Sequence, residues 1–179
     1  EVEDDIVKPL CEDGDTRVST CADNPDKIQE QECKSEEWLP VGECRCPDTD
    51  KFCNITNNPG ITLHWSDLKQ YLKYQEAEDY CASINGRLPS ITELRALIKN
   101  CPQTEMGGTC NIQYYTAETC YGCSVNSGGY SVFGEEGGWW SGTPSSPSGQ
   151  ARYIIIEQYG RITSTNISSK YLHVRCLPK

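Results

Sequence analysis

The stretch Ala77-Glu78-Asp79-Tyr80-Cys81-Ala82-Ser83-Ile84-Asn85-Gly86-Arg87-Leu88-Pro89-Ser90-Ile91-Thr92-Glu93-Leu94-Arg95 decides the fold class. Ala77, Tyr80, Cys81 and Ile84 recur at i, i+3, i+4 and i+7, one stripe on a helix whose pattern starts at Ser66. Asn85-Gly86 stops it, with Gly86 suited to the left-handed C-terminal cap. Ser90 and Glu93 have the spacing of a capping box, and Leu94, Leu97 and Ile98 give a second helix its buried face up to Cys101.

Upstream, Ile61-Thr62-Leu63-His64-Trp65 alternates as a strand. Downstream of Cys101 regular periodicity disappears for about 35 residues rich in Gly, Ser, Thr and Tyr, a length of loop that binds something or is tied down. Three strand candidates follow: Gly138-Trp139-Trp140-Ser141, Tyr153-Ile154-Ile155-Ile156-Glu157 and Tyr171-Leu172-His173-Val174-Arg175-Cys176. Tyr159-Gly160-Arg161-Ile162 reads as a turn with a short return strand. Two helices early and antiparallel strands late predict an α+β domain.

The chain has 179 residues and a formal net charge of −10, unevenly placed. Residues 1–53 hold 16 acidic against 6 basic side chains; residues 54–179 hold 10 of each. This balance argues against a nucleic-acid or other polyanion partner. No apolar run approaches the roughly 20 residues of a membrane-spanning helix. The charged opening Glu1-Val2-Glu3-Asp4-Asp5 reads as the start of a processed, soluble product.

Twelve cysteines predict an oxidising, extracellular compartment. A zinc reading needs paired knuckles, and only Cys120-Tyr121-Gly122-Cys123 has that spacing. Six cysteines (Cys11, Cys21, Cys33, Cys44, Cys46 and Cys53) fall in the acidic third, whose few large apolar residues cannot fold it without crosslinks. The chain therefore divides into an extended arm at 1–10, an acidic Cys-rich module at 11–57 and a larger domain at 58–179. The boundary is expected at Asn57-Asn58-Pro59-Gly60, a run of turn-formers. Sequons at Asn54 and Asn166 predict N-glycosylation of a secreted chain.

The ordered series Trp65, Ala77-x-x-Tyr80-Cys81, Gly86-Arg87-Leu88-Pro89-Ser90-Ile91-Thr92-Glu93-Leu94-Arg95, Cys101, Trp140-Ser141-Gly142-Thr143, Gly160-Arg161-Ile162 and Val174-Arg175-Cys176 resembles a family of bacterial extracellular domains. Its eponym is the C-terminal domain of the Legionella collagen-like adhesin. The resemblance covers roughly residues 60–178 and implies a C-type-lectin-like fold, related in architecture to the formylglycine-generating enzymes, on secreted or surface-anchored proteins. It further implies that Cys81 on the first helix bonds Cys176 on the last strand. Cys101, Cys110, Cys120 and Cys123 would then make two local bridges, in any of three connectivities.

Function candidates follow from what is present. His64 and His173 lie on predicted strands, and His173, alternating with Leu172 and Val174, is expected to face away from the core, so no catalytic role is assigned to either. The Glu-Pro-Asn, Gln-Pro-Asp and Trp-Asn-Asp calcium loops of sugar-binding lectins are absent, and the acidic pairs Glu135-Glu136 and Asp48-Thr49-Asp50 read as solvated surface. No metal or cofactor is expected. Tyr114, Tyr115, Tyr121, Tyr130 and Trp139 are the expected contact residues for a glycan or protein partner, with Trp65, Tyr80 and Trp140 in the core. The sequence thus predicts a non-enzymatic recognition or adhesion protein of a bacterial surface, acting through the loops between Cys101 and Trp140. A fibre or coat subunit built by self-association is the alternative.

Overall fold

A computed structural model describes residues 11–22, 26–112, 118–123, 131–145, 150–155 and 160–179. The chain forms two compact units, Glu1–Cys53 and Asn54–Lys179.

In the first unit, β1 (Thr16–Thr20), β2 (Ile28–Lys34) and β3 (Glu37–Arg45) form an antiparallel meander in the order β1-β2-β3. β2 turns into β3 through Ser35 and Glu36, both with left-handed φ (53° and 66°). Two positive φ values match the right-handed strand twist but favour Asn-Gly over Ser-Glu. Asp13 Oδ1 supports the turn by accepting the Ser35 N–H at 2.6 Å. Val18, Leu39 and Val41 stay exposed, while Cys11, Cys21, Cys33, Cys46 and Cys53 are buried. The bridges Cys11–Cys33, Cys21–Cys44 and Cys46–Cys53 stand where a small domain would have an apolar core.

The second unit opens with a hairpin of β4 (Asn54–Asn58) and β5 (Ile61–Trp65). The Asn57–Gly60 run expected to separate the domains ends β4 and makes this hairpin's turn, Gly60 taking φ 84°. Turn-formers mark a reversal of the chain, and here the reversal lies inside a unit. β6 (Lys69–Leu72) then precedes α1 (Tyr74–Ser83), so the helix starts later than its pattern predicts. Ala77 and Cys81 are its buried positions. Asn85, at φ 59°, takes the left-handed position expected of Gly86, which instead begins β7 (Gly86–Arg87). Asn tolerates that conformation better than other side chains do.

The capping box of α2 (Ile91–Leu94) forms as the spacing predicts: Glu93 N–H donates to Ser90 Oγ (3.2 Å) and Ser90 N–H to Glu93 Oε2 (2.7 Å). The helix tightens to a 3₁₀ turn at Arg95–Leu97, and Ile98 leaves it to pair with Ser131. β8 (Gly138–Ser145), β9 (Gln150–Ile155), β10 (Arg161–Asn166) and β11 (Leu172–Val174) join β6 in a five-stranded sheet ordered β10-β9-β8-β11-β6. β11 runs parallel to β8 and antiparallel to β6. β12 (Leu177–Pro178) pairs with β7. Thr143 Oγ1 accepts the Ile91 N–H (2.8 Å) and Gly142 N–H donates to Pro89 O (2.8 Å), fastening the start of α2 to β8. The architecture is mixed α+β, with small sheets and short helices.

Trp65, Trp139, Ile91, Leu94, Leu97, Ile162 and Leu177 are buried together in this unit's core. Cys81 and Cys176 are bonded across 95 residues of sequence. Closing a loop of that size removes about 4–5 kcal/mol of denatured-state entropy. Cys101–Cys123 and Cys110–Cys120 tie down the irregular stretch, leaving no free cysteine in the protein.

Candidate functional site

Residues 104–110, at the start of the irregular stretch, are organised by a cation. Arg95 is 7% exposed, and its guanidinium spends its donors on backbone carbonyls. Nε–H donates to Thr104 O (2.8 Å) and Glu105 O (3.1 Å), Nη2–H to Gly108 O (2.8 Å) and Nη1–H to Cys110 O (3.3 Å). Burial alone pushes its pKa below the ordinary arginine value. Gly108 has no room for a side chain, since a Cβ would lie 2.5 Å from Pro102 O. Segment 101–110 is thus a preformed wall, held by backbone carbonyls on one cation and by two bridges.

A second wall comes from Ser131–Phe133. Val132 N–H donates to Leu97 O (2.8 Å), and the Arg175 guanidinium lies 4.5 Å over the Phe133 ring. Arg175, 4% exposed, also pairs with Glu135 and donates to Ser66 O. The third wall is the β4 strand with its turn. Between the three lies a groove of about 570 Å³ with Ile98, Met106 and Phe133 among its apolar lining and Lys99, Asn100 and Glu105 among its polar one. Ile55 and Val132, 37% and 40% exposed, offer apolar surface beside it. The lining mixes apolar side chains with at least as large a polar share, and a concave site with convergent polar groups is a usual shape for binding.

No protein-family model, curated protein or solved structure matches this chain. Its chemistry is read from the geometry alone.

Of the expected contact residues, Tyr121 is 48% exposed, with the Arg161 guanidinium 5.5 Å over its ring. Tyr114, Tyr115 and Tyr130 lie outside the described residues. Trp139 is not a contact residue: it is 0% exposed. β8 lies between β9 and β11 and is covered on both faces, so both tryptophans of Trp139-Trp140 are buried, unlike the one-sided burial of a strand with a wet face. Trp140 donates its indole N–H to Leu72 O (2.7 Å) and meets Tyr74 edge-on. His173 does not face away from the core. It is 7% exposed because β11 is also an interior strand of the sheet.

Asn54 of the first sequon lies at the start of β4. Its side chain is buried, with Nδ2 donating to Trp65 O (3.3 Å) and Asp67 Oδ1 (2.9 Å), so the folded hairpin offers no open acceptor there. Asn166 is exposed at the end of β10, its Oδ1 accepting the Ser168 N–H (2.9 Å). Glu135 is committed to Arg175 and accepts from Ser131 Oγ (2.8 Å). Asp48 pairs with Lys51 (2.5 Å), whose hydrogen bond holds its carboxyl below the usual range, and Asp50 Oδ1 accepts the Phe52 N–H (2.9 Å). Among the described residues no group of three or more His, Cys, Asp or Glu side chains is placed to hold a metal ion, and no helix is long and apolar enough to cross a membrane.

The groove itself escaped the sequence reading. β4 and segment 98–106 are far apart in the chain, and Ile55, Met106 and Val132 carry no motif. The one available signal was Arg95, a basic residue where a helix turns inward among apolar neighbours.

Proposed function

We propose that this is a non-enzymatic extracellular recognition or adhesion protein of a bacterial surface, and that its second unit is a C-type-lectin-like domain. Support for the fold reading comes from the Cys81–Cys176 bridge, which clamps the first helix to the end of the chain as in that architecture. Six disulfides fit an oxidising environment, and with every cysteine bridged no thiol is left for nucleophilic or metal chemistry. The observation that carries the function is the groove: its 101–110 wall is held by disulfides and by Arg95, so a partner would meet that wall without first ordering it. The partner is a glycan or a surface protein.

The test is retention of the protein on glycan arrays and on intact cells, compared with an Ile55→Glu/Val132→Glu double variant. Retention on at least one glycan or cell type falling about tenfold at unchanged melting temperature is expected; equal retention of every ligand by both proteins overturns the reading.

A fibre or coat subunit is the second reading, favoured by one feature of the first unit. Val18, Glu30 and Val41 stand in register across the sheet, with Leu39 two residues along β3, and all three apolar side chains are exposed. Exposed apolar area on a sheet with two edges suits packing against copies. Sedimentation velocity showing concentration-dependent polymers, abolished by Val41→Glu, would establish it over the first reading.

A further inference from the structure

Three rings cross the second unit's sheet from solvent to core. Tyr71 on β6 lies 4.9 Å from His173 on β11, and His173 lies 5.3 Å from Trp139 on β8, each pair tilted by 43°. Their exposures fall from 63% through 7% to 0%. Gly137 (φ 118°) makes room for the imidazole, since a Cβ there would come within 2.7 Å of it. The one ring that meets water therefore has a fixed backing.

The Tyr71 backbone is itself unusual. It has φ 52°, at the irregularity where β6 slips register against β11, so that Leu172 faces Leu72 but Val174 faces Lys69. The left-handed region disfavours a bulky side chain and welcomes Gly or Asn. Such strain concentrates at functional positions. Here its outcome is a phenol ring set outside the core, although a smaller residue would fit the turn better. Tyr171, the residue before β11, is 55% exposed with the Lys73 ammonium 5.3 Å over its ring, and Lys69 lies 5.8 Å over Tyr80.

The surroundings select the ligand chemistry. A protein interface would need aliphatic area around the rings, yet among the described residues of this unit the exposed large aliphatic side chains are Ile55, Ile61 and Val132, on the first hairpin and the groove rim. An anion would need a net positive field, yet Lys69, Lys73 and Lys170 are matched by Glu76, Glu78 and Asp79 on α1, which follows β6 directly. A neutral sugar needs neither: its C–H face packs on an aromatic ring and its hydroxyls bond to phenol and ammonium groups at the edge. We propose that Tyr71, backed by His173, forms with the nearby Tyr171 a binding site for neutral pyranose sugars, separate from the groove.

The test titrates the whole protein with chitotriose, cellotriose and mannotriose, and with trigalacturonate as the acidic comparator, followed by calorimetry and NMR. At least one neutral trisaccharide is expected to bind, to weaken about tenfold or more in Tyr71→Ala and Tyr71→Gly, and to be kept by Tyr71→Trp. Tyr71→Gly relieves the backbone strain, so its melting temperature holds or rises and lost binding cannot be read as lost folding; Tyr171→Ala weakens binding independently of that strain. The site is overturned if no neutral trisaccharide binds, if trigalacturonate is preferred, or if Tyr71→Gly binds as the parent does. Loss of sugar in Val132→Glu but not in Tyr71→Gly overturns it by placing the sugar in the groove.

Discussion

The two units solve the same problem with different materials. In Glu1–Cys53 the buried apolar side chains among the described residues are all cysteines, and the sheet keeps Val18, Leu39 and Val41 in water. In Asn54–Lys179 three fully buried tryptophans, with Ile91, Leu94, Leu97 and Ile162, make an interior that three disulfides supplement. The difference teaches where stability resides: in the denatured chain's lost freedom for the first unit, in burial of apolar area for the second.

Reduction should break this comparison most sharply. Each of the two longer bridges of the first unit, spanning 22 and 23 residues, accounts for about 3 kcal/mol, which a unit without an apolar core cannot replace. Under a mild reductant the first unit is expected to lose hydrogen-exchange protection entirely while Trp65, Trp139 and Trp140 stay buried; loss of both together would show that the second unit leans equally on sulfur. The Cys81→Ser/Cys176→Ser variant should lower the second unit's stability by about 4–5 kcal/mol in denaturant melts without abolishing its core.

Arg95→Ala comes next. It strips four carbonyl acceptors of their donor, and the expected loss is about 2–3 kcal/mol, confined to the second unit and accompanied by proteolytic cutting within 101–110. An unchanged cleavage pattern would mean the two bridges alone hold the wall.

A gain is expected in the first unit. Glu36→Gly removes the cost of a left-handed non-glycine residue at the β2–β3 turn and should stabilise by about 1 kcal/mol in chemical denaturation.

The smallest effects are those of pH, and both belong to the second unit. The hydrogen bond from Arg87 (2.7 Å) holds the Glu93 carboxyl below its ordinary value, so the stability it lends is present above the unfolded carboxylate range and fades as pH falls through the lowered value. Burial, reinforced by Glu78, pushes the Tyr74 phenol up to about 12; that contribution is whole below pH 10 and is lost as pH rises through about 12. Melting temperature against pH should fall at both ends, with Glu93→Gln flattening the acid limb and Tyr74→Phe the alkaline one.

Local chemistry was legible in the sequence wherever one short segment settles it. Ser90 and Glu93 cap their helix three residues apart, and the terminal strands announce themselves by β-branched and aromatic runs. What escaped depends on distant chain. The first unit's sheet left no alternation to read, because both faces are largely polar. Trp139 and His173 are buried because their strands lie inside the sheet order, which no single strand's pattern reports. Asn54 looks like an acceptor until Trp65 and Asp67 fold onto it.

The Cys81–Cys176 bond has a mechanical consequence. Tension entering ahead of Cys81 and leaving beyond Cys176 crosses through sulfur, so the 95-residue span between them carries no load. At about 3.5 Å per extended residue, roughly 330 Å of polypeptide is withheld from stretching. Under traction that would draw an unbridged domain into a thread, the groove walls at 98–106 and 131–133 would stay shielded from the pull, whereas β4 and Tyr71, which precede Cys81, would bear it.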